Sequence, residues 1–64
     1  MNRREQRGSG RLLSIEDLQA YLSLGRASAA RFGSEAGAVV RVGKRLLYDR
    51  QAVDRLIEKE RSNS

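Results

Sequence analysis

Ser23-Leu24-Gly25-Arg26-Ala27-Ser28-Ala29-Ala30-Arg31-Phe32 is a short glycine-bearing turn that leads into a run of small and basic residues. A short turn of this kind between two helices is what a helix-turn-helix needs. The run after it predicts a helix from about Ala27 to Ala36. Ala29, Phe32, Gly33 and Ala36 fall at i, i+3, i+4 and i+7 and form its inner stripe. Phe32 is the only large member and is the expected anchor, while the small residues allow close approach to the preceding helix. Arg26, Ala27, Ser28, Ala30, Arg31 and Ser34 are left outside. Side chains this small let a helix backbone come near DNA, with Arg26 and Arg31 long enough to reach base edges. Helix propensity alone also favours alanine.

Upstream, Ser14 is placed to cap a first helix, with Asp17 three residues on in the capping-box position. Leu13 and Leu18 stand at the two positions of a hydrophobic staple. Glu16 and Asp17 put negative charge in the first turn, where the helix dipole favours it. Ile15, Leu18 and Leu22 keep helical spacing, with Tyr21 beside them, and read as core. Gly25 is expected to end this helix or to shape the turn after it.

Downstream, Gly37 is expected to end the second helix. Ala38-Val39-Val40-Arg41-Val42 and Arg45-Leu46-Leu47-Tyr48 are β-rich runs around Gly43-Lys44, which predicts a hairpin. Two loops are compatible with this stretch. A two-residue Gly-first loop suits type II′ chemistry. A three-residue loop, 43–45, would put Val40, Val42, Leu46 and Tyr48 on one face. Either way Arg41, Gly43, Lys44 and Arg45 gather near the tip as a basic wing able to follow phosphates or enter a minor groove. Asp49 is placed to cap a last helix running to about Glu60, with Tyr48 and Val53 as its staple. Val53, Leu56 and Ile57 form its inner stripe. Its outer face alternates in sign and reads as a strut or a protein-docking face.

The chain has 64 residues, one small domain's worth. Residues 11–61 are expected to form it, between a flexible basic tail over 1–10 and a disordered C-terminus over 62–64. There is no cysteine and no histidine, so neither a disulfide nor an ordinary zinc site is expected, nor any other cofactor. No run of 18 apolar residues is present, so no membrane span is expected. The basic N-terminal stretch is not followed by an apolar segment, as a signal peptide would require, so the expected compartment is the cytoplasm.

Net charge is +5, and it is unevenly placed. Residues 1–11 carry +3, residues 12–25 carry −2, residues 26–50 carry +4, and residues 51–64 are neutral. The excess therefore sits on the tail and on the second helix with its hairpin, which points to a polyanionic partner. No serine has an evident base beside it, and the glycines match no phosphate loop, so no enzyme is expected. The three aromatics, Tyr21, Phe32 and Tyr48, all fall at inner positions, which leaves no stacking platform for single-stranded RNA.

Four segments in order carry a resemblance over residues 12–57. Leu12 to Leu22 is similar to the opening helix of the excisionase-like, MerR-related winged helix-turn-helix DNA-binding domains. Ser23-Leu24-Gly25-Arg26 resembles that family's turn, Val40 to Arg45 its wing, and Leu47 to Ile57 its closing helix. The resemblance implies an α+β fold of two helices, a two-stranded β-hairpin wing and a C-terminal helix. It implies that the second helix reads the major groove of double-stranded DNA and that the wing contacts the adjacent minor groove or backbone. It further implies bacteriophage or mobile-element biology in a bacterial host, in association with the nucleoid. Family members assist an integrase in DNA recombination as excisionases, often as several copies on adjacent sites. Others act in transcription regulation. A protein-interaction module, with the last helix as docking surface, is the alternative of a different class.

Overall fold

A computed structural model of the chain describes residues 10–63. The Arg-rich stretch 1–9, most of the expected tail, and Ser64 lie outside the described residues. The elements in order are β1 (Leu12–Leu13), α1 (Ile15–Leu22), α2 (Arg26–Glu35), β2 (Val39–Val42), β3 (Arg45–Asp49) and α3 (Arg50–Asn63). This is the α+β arrangement of a small winged helix-turn-helix, with one short strand added to the hairpin.

The helix boundaries follow local chemistry. Ser14 is extended (φ −72°, ψ 169°), and its Oγ accepts a hydrogen bond from the Asp17 backbone N–H at 3.1 Å. The staple residues Leu13 and Leu18 are fully buried. At the end of α2, Gly37 adopts φ +66°. The Ala38 N–H then reaches the Gly33 carbonyl at 3.0 Å, and the Gly37 N–H reaches that of Ser34 at 3.0 Å. This pair of bonds is a Schellman stop, and it hands the chain directly to β2.

Of the two roles expected of Gly25, the structure gives it the second: it lies in the turn after α1 and does not end that helix. Ser23 ends α1 in the left-handed region (φ 58°, ψ 42°). Gly25 is extended (φ −71°, ψ 171°) and precedes α2 as its N-cap. The left-handed residue that a helix stop favours is thus supplied by a serine, at some cost in strain.

β3 is the central strand of a three-stranded antiparallel sheet, ordered β1-β3-β2. Val42 pairs with Arg45, so the loop is the two-residue Gly43-Lys44. Gly43 takes φ +61° and Lys44 does not take a positive φ, as type II′ chemistry requires. The three-residue alternative, and its single apolar face, is therefore not adopted. Val40 faces Leu47 and Val42 faces Arg45, while Arg41 faces Leu46 and Val39 faces Tyr48. Val39, Val42 and Leu46 are consequently 44%, 49% and 48% exposed.

Leu13, Leu18, Ala29, Ala38, Tyr48 and Val53 form the buried core, with Ile15, Leu22, Phe32, Ala36, Ala52 and Ile57 packed against it. Each of the fully buried large side chains, Leu13, Leu18 and Val53, contributes on the order of 1.5–3 kcal/mol. Phe32 is only half-buried, so it is not the anchor expected from its size. That role falls to Tyr48, whose ring lies against Gly33 of α2. Tyr21 is 43% exposed rather than inner, because it sits at the margin of the Leu18–Leu22 stripe. Its hydroxyl donates to Asp54 of α3, and that carboxylate pushes the hydroxyl above its ordinary pKa. α3 runs through Ser62 and Asn63, past the expected end near Glu60. No Gly or Pro stops it, and Glu, Lys and Arg are good helix formers.

Asp49 closes the domain. Its Oδ1 accepts from the backbone N–H of Gln51, in the first turn of α3, at 3.1 Å. Arg11 grips both carboxylate oxygens, Nε to Oδ1 at 3.1 Å and Nη2 to Oδ2 at 3.2 Å. The Arg11 carbonyl also accepts from the Arg50 N–H at 2.7 Å. The Arg11 guanidinium, assisted by the Gln51 N–H, holds the Asp49 carboxyl below its ordinary value of 3.8. A carboxylate depressed in the folded state stabilises above its unfolded pKa, and that stability is lost as pH falls through the folded value. Thermal unfolding followed from neutral to acid pH should therefore lose stability below about pH 4 in the wild type and lose less in Asp49→Asn. Identical acid profiles would show that the Arg11–Asp49 pair contributes nothing. Among the described residues no helix is long and apolar enough to cross a membrane.

Candidate nucleic-acid interface

α2 buries Ala29 and Gly33 and half-buries Phe32, which turns Ala27, Arg31 and Ser34 outward. Ser28 and Ala30 flank them, Ser28 exposed and Ala30 half-buried. Four methyl- or hydroxymethyl-sized side chains thus surround one arginine. Ser28 and Arg31 line a shallow depression together with Phe32 and Glu35. Arg26 lies in the first turn, toward α1, where its Nη1 stands 3.5 Å from Glu16 Oε2. Both side chains are well exposed. The first turn of α2 holds no acidic residue, and no side chain caps it. Its leading N–H groups present the positive end of the helix dipole.

The wing carries its cations on a tight frame. Cross-strand partners share a face, so Arg41 stands with Leu46 on one face of the hairpin and Arg45 stands with Val42 on the other. Lys44 occupies the turn between them, and Gly43 supplies the positive φ the turn needs. Each face of the tip therefore presents one arginine beside one exposed aliphatic side chain. Among the described residues no ion pair engages Arg41, Lys44 or Arg45.

The structure gathers Arg41, Gly43, Lys44 and Arg45 at one tip, and places Ala27, Ser28, Arg31 and Ser34 on the outward side of α2. Arg26 is set apart by its pairing with Glu16. Two charged residues near these groups, Glu35 and Glu16, and Arg11 at the far end of β3 from the tip, have neighbours that the sequence reading does not give. Glu35 had a sequence signal, since it lies four residues after Arg31, one helical turn on. Glu16 and Arg11 had none, because their partners are fixed by the packing of α1 on α2 and by the pairing of β1 with β3. A separate apolar groove is lined by Tyr21, Leu22, Leu24, Phe32 and Ile57, with Glu60 and Arg61 at its rim. A scan against protein-family models, a search of curated proteins and a search of solved structures each found no match.

Proposed function

We propose that this chain is a sequence-selective double-stranded DNA-binding protein of the winged helix-turn-helix kind. Its role on this reading is that of an excisionase, a recombination directionality factor that binds and bends DNA near an attachment site to assist an integrase. The observation that carries the DNA reading is the wing: an arginine on each face, a lysine at the tip and an aliphatic side chain beside each arginine. A narrow groove is walled by phosphates on both sides and floored by sugars and base edges. A blade with a cation on each face and apolar flanks suits that shape. The outward face of α2 supports major-groove reading, with Arg31 as its reader. One such domain covers about one half-site, so useful affinity calls for further copies on adjacent sites or for the integrase itself. The proposed setting is the cytoplasm of a bacterial host, at the nucleoid, with phage or mobile-element recombination as the context.

Fluorescence anisotropy of a labelled duplex, titrated with the protein at several salt concentrations, tests the DNA reading. The expected result is a log–log salt slope equivalent to several released counterions. No binding at low salt by folded protein would overturn it and favour a protein-interaction module. An integrase excision assay with and without the protein then separates the excisionase from a transcription regulator of the same fold. Unchanged excision would sink the former.

A further inference from the structure

The two halves of the proposed interface differ in their electrostatics. The wing presents Arg41, Lys44 and Arg45 with no carboxylate engaging them among the described residues. On α2 both arginines have a carboxylate at hand. Glu16 reaches over from the first turn of α1 to within 3.5 Å of Arg26. Glu35 stands one turn after Arg31 and lines the same shallow depression. All four of these residues are exposed. A surface built to grip phosphates carries cations without competing anions, and the α2 side is not built that way.

We infer that Glu16 and Glu35 are specificity-determining residues, which offset the phosphate attraction of Arg26 and Arg31 so that α2 discriminates between sequences rather than supplying affinity. The inference rests on the DNA-binding reading above. On random duplex each carboxylate faces phosphates and repels them, and Glu16 also keeps Arg26 partly occupied. On a matching sequence the same groups find partners: an arginine bonds guanine O6 and N7, and a glutamate accepts from cytosine N4. The carboxylates thereby act chiefly against the wrong sites, which is how specificity is raised without added contacts to the right one. Non-specific attraction is left to the wing.

The test is the double substitution Glu16→Gln/Glu35→Gln, which keeps size and removes charge. Binding of wild type and variant to a labelled random-sequence duplex is measured by anisotropy between roughly 50 and 200 mM salt. The variant is expected to bind random duplex about tenfold tighter at the low-salt end, with a slope steeper by about one to two, since Arg26 is released from its pair and Arg31 no longer has a carboxylate repelling phosphate beside it. Its discrimination between a duplex enriched by selection and the random duplex should fall by a similar factor. A purely structural role for the Glu16–Arg26 pair would alter the melting temperature and leave the slope alone, and melting of both proteins is recorded for that reason. Should the double variant unfold, the single substitutions are each expected to give about half of the slope change. Equal slope and affinity, with wild type binding normally, would overturn this inference and leave the DNA reading standing. No binding by either protein would overturn both.

Discussion

Gly33→Ala is expected to lower the melting temperature by roughly 10 °C, from a net loss of about 2 kcal/mol at some 4–8 °C per kcal/mol in a domain this small. In an exposed helix the same change would stabilise by about 1 kcal/mol, because alanine is the better helix former. Here the new Cβ would lie 2.5 Å from Tyr48 Cδ1 and 2.7 Å from Cε1, with Leu18 Cδ2 at 3.3 Å. Tyr48 is 5% exposed and sits in the central strand, opposite Leu13 and Val39. At 5% exposure its ring has little room to yield, so either the ring or α2 must shift at the expense of core packing. Overpacking of this kind outweighs the propensity gain. Gly25→Ser is the contrast: Gly25 has nothing within 4 Å of its missing Cβ and is extended, so serine there should be neutral or mildly stabilising as an N-cap. In a Tyr48→Leu background the Gly33→Ala loss should shrink, a coupling that a thermodynamic cycle reads directly. An unchanged melting temperature for Gly33→Ala alone would show that Tyr48 does not set the spacing of α2.

What was legible in the sequence is the part that short-range chemistry decides. Ser14 and Asp17 lie within one turn of each other, and the Gly37 stop involves only residues 33–38, so both could be read from order alone. The hairpin was equally clear, but its loop length was not. Gly43-Lys44 satisfies a type II′ turn, whereas the apolar pattern was equally compatible with a longer loop that would put Val40, Val42, Leu46 and Tyr48 on one face. Turn geometry prevailed, and Val39, Val42 and Leu46 were left partly in solvent. β1 was invisible because two residues have no periodicity, and the partners that define it, Tyr48 and Asp49, lie some 36 positions away. Gly33 reads as small and inward, but the side chain that most needs its smallness, Tyr48, comes from β3, with Leu18 of α1 the next nearest. The site divides in the same way. Which residues of α2 face outward follows from the 3.6-residue period. That Arg26 faces Glu16 depends on how two helices pack, and no pattern within either helix records it.

The largest effect on DNA binding is expected from the wing. Arg41→Ala/Lys44→Ala/Arg45→Ala should flatten the log–log salt slope by about 2.7, three contacts at roughly 0.9 each, and weaken binding by on the order of a hundredfold near 0.1 M salt. Selected and random duplexes should suffer alike, because phosphate contacts position the protein without reading sequence. The fold should survive. All three side chains are exposed, and Gly43, which holds the turn, is retained. Arg31→Ala is expected to do the reverse: little change in slope, since Glu35 shares its depression, but a loss of preference for the selected duplex of about 1–3 kcal/mol if it reads a guanine. The contrast between the two variants is what carries the argument. A chain that merely happened to be basic would lose affinity in proportion to the cations removed, wherever they stood. Proportional losses on both duplexes from both variants would therefore refute the division of labour between α2 and the wing, even with DNA binding itself intact.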